Sequence, residues 1–202
     1  MAAPACVHEP TRERILACAA DQFATVGYAA TSVRDIARTA GVTVGAIYAH
    51  FPSKGRLLAA VYQEGAARIG RAVDAAVAGG GGGPWDKLGA AAAAHVEMLL
   101  ANSGFARGIV RVLPGDVPEV ANDLRRLRDA YEARFRRLID ALDLAPGVDR
   151  TLVRLMLLGA LHAAQIWFKR GPERADAGAI GRQFVAALRS GTAARGGRNG
   201  RG

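Results

Sequence analysis

The sequence predicts an all-α protein: an amino-terminal three-helix unit containing a helix-turn-helix, followed by a larger helical domain. Three observations carry this reading. Apolar residues recur at intervals of three and four over most of the chain, the interruptions fall at Gly and Pro, and no segment alternates convincingly as a strand would. The 25 glycines and the low aromatic content of 6% favour close helix packing over an aromatic-rich sandwich. A length of 202 residues is enough for a small module joined to a larger one.

Residues 1–10 contain Pro4 and no periodic pattern, and read as a flexible arm. In TRERILACAADQFATVGY, Ile15, Ala19, Phe23 and Val26 mark one buried helical face, and Gly27 ends the helix by accepting left-handed geometry. In ATSVRDIARTAG, Thr31 or Ser32 can cap a short helix, with Asp35 in its first turn as an acidic capping-box partner to Ser32. Val33, Ile36, Ala37 and Ala40 form its buried side, and Gly41 ends it. Thr43 caps a third helix carrying Val44, Ile47 and Tyr48; Pro52 interrupts, and Ser53 caps a fourth with Leu57, Leu58, Val61 and Tyr62. Turns this short permit only steep crossings, which is the sequence shape of a helix-turn-helix followed by a connecting helix.

The run Gly79 to Gly83, followed by Pro84, should stop any helix, since each glycine costs roughly 1 kcal/mol relative to alanine. It reads as a flexible connection; no strand precedes it and no Lys-Ser or Lys-Thr pair follows, as a phosphate loop would need. Further helices are expected at roughly 85–102, 104–113, 117–143, 149–170 and 173–190. The final GTAARGGRNGRG, residues 191–202, is basic and too poor in apolar surface to fold, so a disordered tail is expected.

The formal charge of +9 is spread along the chain and suits nucleic acid or an anionic ligand without selecting either. Cys6 and Cys18 are the only cysteines and imply neither a disulfide framework nor a zinc site. His50 lacks partners at ligand spacing, so no metal is expected, and nothing calls for a cofactor. No apolar run reaches the ~20 residues that span a bilayer, and the amino terminus has no basic segment leading into an apolar one; a soluble cytoplasmic protein with no membrane partner is expected. No nucleophile, base and orienting residue occur in an interpretable arrangement, so an enzyme is not expected.

A helix that enters the major groove must offer its first residues to base edges while neighbouring groups hold phosphates. The second and third helices have suitable lengths, Gly41 sits at their corner, and Tyr48, His50 and Lys54 bring donors near the end of the third. These features favour a DNA-reading module; a purely structural helical cluster is the other reading.

Residues Thr11 to Tyr62, about a quarter of the chain, resemble the DNA-binding domain of the TetR family of bacterial transcriptional repressors. The resemblance rests on the spaced Ile, Ala, Phe and Gly of the first helix, on TSVRDIA, on AGVTVGAIYAHF, and on the SK-xx-LL continuation. It implies a DNA-binding domain at 11–56, an effector-binding and dimerisation domain at 57–190, and a homodimer on a palindromic double-stranded operator, released by a small molecule. Thr31 and Ser32 match a phosphate-facing helix start. Arg34 matches a position that can reach a base; its other reading is an exposed, ion-paired arginine. Thr43 matches the phosphate- or base-facing start of the recognition helix, Val44, Gly45 and Ala46 its groove-facing stretch, and Tyr48, His50 and Lys54 phosphate contacts. A helical interaction protein would explain the apolar spacing but not the coincidence of these motifs.

In this family the last two long helices form the dimer. Here Gly159, Ala160, Ala163, Ala164, Phe184 and Leu188 are the candidates, the small residues permitting close packing either between copies or within one. PEVANDLRRLRDAYEARFRRLIDAL and LLGALHAAQIWFKRGP resemble the ligand domains of TetR-like regulators of fatty-acid and steroid catabolism, several of which respond to acyl-coenzyme A thioesters. Phe105, Ile109, Leu113, Leu127, Tyr131, Phe135, Leu158 and Trp167 could line an elongated cavity or simply the core. Arg126, Arg134 and Arg137 fall near one side of a helix and could hold coenzyme A phosphates. Interspersed Asp123, Asp129, Glu132 and Asp140 make a salt-bridged surface an equal reading. A regulator of efflux or stress genes with a drug-like ligand is the alternative to a lipid-responsive one.

Overall fold

Helix α1 (Thr11–Val26) starts where the Pro10 carbonyl accepts from the N–H groups of Glu13 and Arg14, and it buries Ile15, Leu16, Ala19, Ala20, Phe23 and Ala24. It ends at Gly27 with φ 90° and ψ 159°. That is positive φ with an extended ψ, not the left-handed helical geometry expected, though both conformations favour glycine. The chain is described here by a computed structural model covering residues 10–101, 104–105, 117–168 and 176–193, with the side chain of Trp167 outside it.

Ser32 caps α2 (Val33–Ala40): its Oγ accepts from the Asp35 N–H at 3.1 Å and donates to Asp35 Oδ2 at 2.6 Å. Gly41, at φ 64° and ψ 38°, closes α2 in the left-handed conformation, with its N–H on the carbonyls of Ala37 and Arg38. Thr43 caps α3 (Val44–His50), its Oγ1 accepting from the Ala46 N–H at 3.1 Å. After Pro52, α4 runs unbroken from Lys54 to Gly79, and the glycine run separates it from α5 (Pro84–Leu100). A single 3-10 turn (Pro118–Val120) leads into α6 (Ala121–Asp140). Asp149 caps α7 (Arg150–Trp167) and Asp176 caps α8 (Ala177–Thr192).

Two compact units result. The first comprises residues up to Arg68 together with 101–129, and the second Ile69–Leu100 together with 130 onward. Helices α4 and α6 each contribute to both, so the line expected between residues 56 and 57 falls inside one continuous helix. In the first unit, Ile15, Phe23, Ile36, Ile47, Phe51, Leu57 and Val61 share a core with Phe105, Val117, Val120 and Leu124. In the second, α5 is the most buried helix, and α8 lies against it. A Cβ on Gly181 would land on the backbone of Ala92 and 2.6 Å from the Ala93 nitrogen, so α8 and α5 meet main chain against main chain.

Among the described residues the only β feature is an isolated bridge between Leu144 and Ala193, beside an Ala145 N–H bond to the Thr192 carbonyl at 2.8 Å. Residues 191–193 are thus helix and bridge, where a disordered tail was expected to begin at 191. No described helix is long and apolar enough to cross a membrane.

Candidate nucleic-acid interface

The α2–α3 corner is held by its own caps and by one lysine. Lys54 Nζ donates to the carbonyls of Tyr28 and Thr31, each at 3.0 Å, and stands 4.3 Å from the centre of the Tyr28 ring. A charge-assisted bond is worth more than a neutral one, so this side chain locks the α1–α2 connection to the start of α4. Thr31 is buried and its hydroxyl donates to the Gly27 carbonyl at 2.8 Å. What Thr31 can turn outward is therefore not its hydroxyl proton, and Lys54 spends two of its three donors inside the protein. Both residues were expected to face phosphates; their geometry gives them first of all a structural task.

The remaining candidates share the outer surface of α2 and α3. Ser32, Arg34, Thr43, Gly45, Tyr48 and His50 are exposed, Val44 and Ala46 are half-buried, and Ile47 is buried in the core. The neighbouring Arg38 pairs with Asp35 at 2.6 Å, while no ion pair engages Arg34 among the described residues. Thr43 uses its oxygen to accept from Ala46, which leaves its hydroxyl proton to donate outward. A Cβ on Gly45 would meet only Thr43 Oγ1, at 3.8 Å, so nothing in the chain itself requires glycine there. Phe51 is buried, with the Arg12 guanidinium over its ring.

A clasp that sequence reading missed joins the start of α4 to the start of α6. Ser53 Oγ donates to Glu119 Oε1 at 2.5 Å, and Arg56 pairs with Asp123 at 2.6 Å while Arg126 holds the same carboxylate. The Arg126 hydrogen bond, ahead of the Coulombic pull of Arg126 and Arg56, keeps the Asp123 carboxyl below the usual carboxylate range. Partners 66 and 67 residues apart leave no local sequence signal.

The candidates for effector binding separate between the two units. Phe105 and Leu127 pack with the first unit's core, with the Arg68 guanidinium over the Phe105 ring. Tyr131, Phe135 and Leu158 are buried in the second unit. Ile109, Leu113 and the Trp167 side chain lie outside the described residues. Arg126 is held by Asp123, and Arg134 makes paired bonds to Asp74 at 3.0 and 3.1 Å, its guanidinium carbon 2.9 Å from where a Cβ on Gly70 would stand. Arg137 lines an open groove of about 200 Å³ with Val73, Val77 and Leu138.

Ala164 is fully buried within the chain. Gly159 is exposed, and Ala160, Ala163, Phe184 and Leu188 are half-buried. The strongest surface signal lies on α7, where Leu152, Leu155, Met156 and Ile166, the last 84% exposed, form a stripe with Gly159 and Ala163 at helical spacing.

Comparison with known proteins places this geometry. Residues 15–61 match the tetR family of bacterial regulatory proteins, and residues 81–192 match the tetracyclin repressor-like C-terminal domain. The HTH-type transcriptional regulator AcrR of Shigella flexneri is 40% identical over 62 residues, 31% of this chain and 29% of that protein. The HTH-type transcriptional repressor KstR2 of Mycolicibacterium smegmatis is 43% identical over 53 residues, 26% of each. The matched segments thus span less than a third of either relative. The structure of FadR from Bacillus subtilis in complex with stearoyl-CoA superposes with a TM-score of 0.75 at 21% identity, covering 89% of this chain and 98% of that one, a likeness of fold. With residues 15–61 matched by the one model and residues 81–192, more than half of the chain, by the other, the protein belongs to the tetR family of bacterial regulatory proteins.

Proposed function

We propose that the chain is a homodimeric repressor that places α3 of each subunit in successive major grooves of a palindromic operator and lets go when an acyl-coenzyme A thioester binds the second unit. The observation that carries the DNA reading is the outer face of α2 and α3. Its caps are satisfied within the chain, while Arg34, Thr43, Tyr48 and His50 turn outward. Arginine can pair with the two acceptors of guanine, and small Gly45 and Ala46 let the helix approach the bases closely. Tyr48, His50 and the free donor of Lys54 serve the phosphates.

The dimer reading is supported by the apolar stripe on α7, and the effector reading by the shared fold of FadR bound to stearoyl-CoA. Because α4 and α6 belong in part to both units, a ligand that shifts either helix can change the separation of the reading heads. The test is selection of bound DNA from a random pool, followed by titration of the complex with stearoyl-CoA and with steroid acyl-CoA species. A palindromic site released by one of these thioesters is expected. Recovery of no preferred sequence would remove the operator reading, and a complex indifferent to every thioester would remove the effector reading.

A further inference from the structure

Three helices of the second unit bring two histidines and a tyrosine together, with the Arg134–Asp74 ion pair on the Tyr131 side of the cluster. His95 of α5 is 1% exposed, and its Nδ1 lies 2.5 Å from the Tyr131 hydroxyl of α6. Phe135 meets its ring edge-on, and the His162 ring of α7 stands 5.1 Å away. His95 Nε2 is buried and has no hydrogen-bond partner among the described residues. One turn past His162, the Gln165 side-chain nitrogen is likewise buried and unpartnered among them. Leaving such a group unmatched costs about 1–3 kcal/mol, and native interiors rarely tolerate it without a reason. Among the described residues no group of three or more His, Cys, Asp or Glu that could hold a metal ion occurs.

The protonation state follows from the surroundings. Burial, with His162 adding to it, pushes the His95 pKa down to about 3, burial lowers that of His162, and burial raises the Tyr131 phenol well above its ordinary value. All three are therefore neutral at pH 7. If Tyr131 donates to Nδ1, the proton of His95 sits on Nε2 and a single N–H is left over. The opposite tautomer would leave both the Nε2 lone pair and the tyrosine proton unmatched, so the first is favoured. The orphan is then a donor. Its ring is packed against those of Phe135 and Tyr131, and Arg134, which stands over the Tyr131 ring, is paired with Asp74.

We propose that His95 Nε2–H is the polar anchor of the effector site and that it donates to the carbonyl oxygen of an uncharged ester, thioester or ketone group on an otherwise apolar ligand. A free carboxylate is disfavoured, because burying its charge here has no cation to offset it. Tyr131 acts as a positioning residue: its hydroxyl fixes the tautomer that presents the donor. This inference rests on the effector-responsive reading above and narrows it to the chemistry of the ligand's polar group.

The test uses the full-length dimer with 15N-labelled histidine and three probes of one chain length: methyl decanoate, decanoyl-CoA and sodium decanoate. Ring-nitrogen NMR signals of His95, assigned with His95→Phe, report the contact without any DNA. The expected result is a shift of the Nε2 signal by methyl decanoate, by decanoyl-CoA or by both, and none by decanoate; the responding probes identify a free ester or a coenzyme A thioester as the source. His95→Phe, which keeps an aromatic ring without a donor, should bind the responding probe at least tenfold more weakly yet retain operator affinity in a gel shift. Tyr131→Phe should weaken it a few fold and mix the two tautomers in the ring-nitrogen spectrum of the free protein. A wild-type His95 signal that no probe moves, one moved by decanoate alone, or wild-type ester and thioester affinity in His95→Phe would each overturn the proposal. Failure of the protein to bind DNA would instead strike the repressor reading and leave the NMR result standing.

Discussion

Lys54 Nζ sits over the ring of Tyr28 while donating to that residue's own carbonyl, so one side chain grips both faces of the turn that introduces α2. Lys54→Met keeps the aliphatic stem and removes two charge-assisted bonds and a cation–π contact. A loss of about 2–3 kcal/mol is expected in urea unfolding. Operator affinity should fall with it, because the angle of α3 depends on this turn. Wild-type stability in the variant would mean that the lysine serves only DNA.

Glycines 45 and 181 should respond oppositely to alanine. Gly45→Ala meets open space within the chain and removes a helix glycine, so stability should hold or rise by up to about 1 kcal/mol. Operator affinity should drop if α3 lies close against the bases, and the two readouts separate fold from function. At Gly181 the added carbon would strike the backbone of Ala92, which no rotamer change relieves. A cost of roughly 1–3 kcal/mol is expected there, measured as a lower midpoint of unfolding.

Arg34→Ala should flatten base preference at particular positions of the selected site, a change of about 1–3 kcal/mol in discrimination. His50→Ala and Tyr48→Phe should weaken binding to all sequences alike. Parallel selections with the three variants distinguish the patterns. Uniform weakening by Arg34→Ala would make it a phosphate contact.

Leu155→Glu or Met156→Glu places a charge in the exposed stripe of α7 and should give monomers by light scattering, with operator binding reduced at least tenfold. The fold of each subunit should survive, since both side chains are already more than half exposed.

Stability should also fall with acidity through His95. Its folded-state pKa is depressed to about 3 from 6.5, so the unfolded chain takes up the proton first. The contribution is complete above pH 6.5 and declines as pH falls toward 3, by up to about 1.4 kcal/mol per unit. His95→Phe should flatten that slope between pH 6.5 and 4 in urea titrations, and an unchanged slope would show that the ring is not held neutral.

Local chemistry was legible in the sequence wherever partners lie within one turn. Ser32 with Asp35, Thr43 ahead of Ala46, and Gly41 at the corner each carry their reason in adjacent residues. Tetrapeptide patterns cannot say where Lys54 reaches, because its acceptors are main-chain oxygens 23 and 26 residues earlier. The same holds for Glu119 beneath Ser53, and for His95, which in sequence is one polar residue in the alanine-rich stretch GAAAAAHVEMLL. The arginines of α6 could not be sorted from sequence either: their roles depend on Asp74 and Asp123, and only one of these is on the same helix. Periodicity marked Ala164 as a small residue at a helix interface, but it cannot tell an interface within a chain from one between chains.

The first unit's core closes only when Phe105, Val117, Val120 and Leu124 fold in beside α1 to α4. A hybrid regulator made by joining residues 1–61 to a foreign sensor would leave this shared core without those four side chains. Swapping sensors on this scaffold therefore means transplanting a discontinuous graft, with residues 101–129 travelling alongside the reading head.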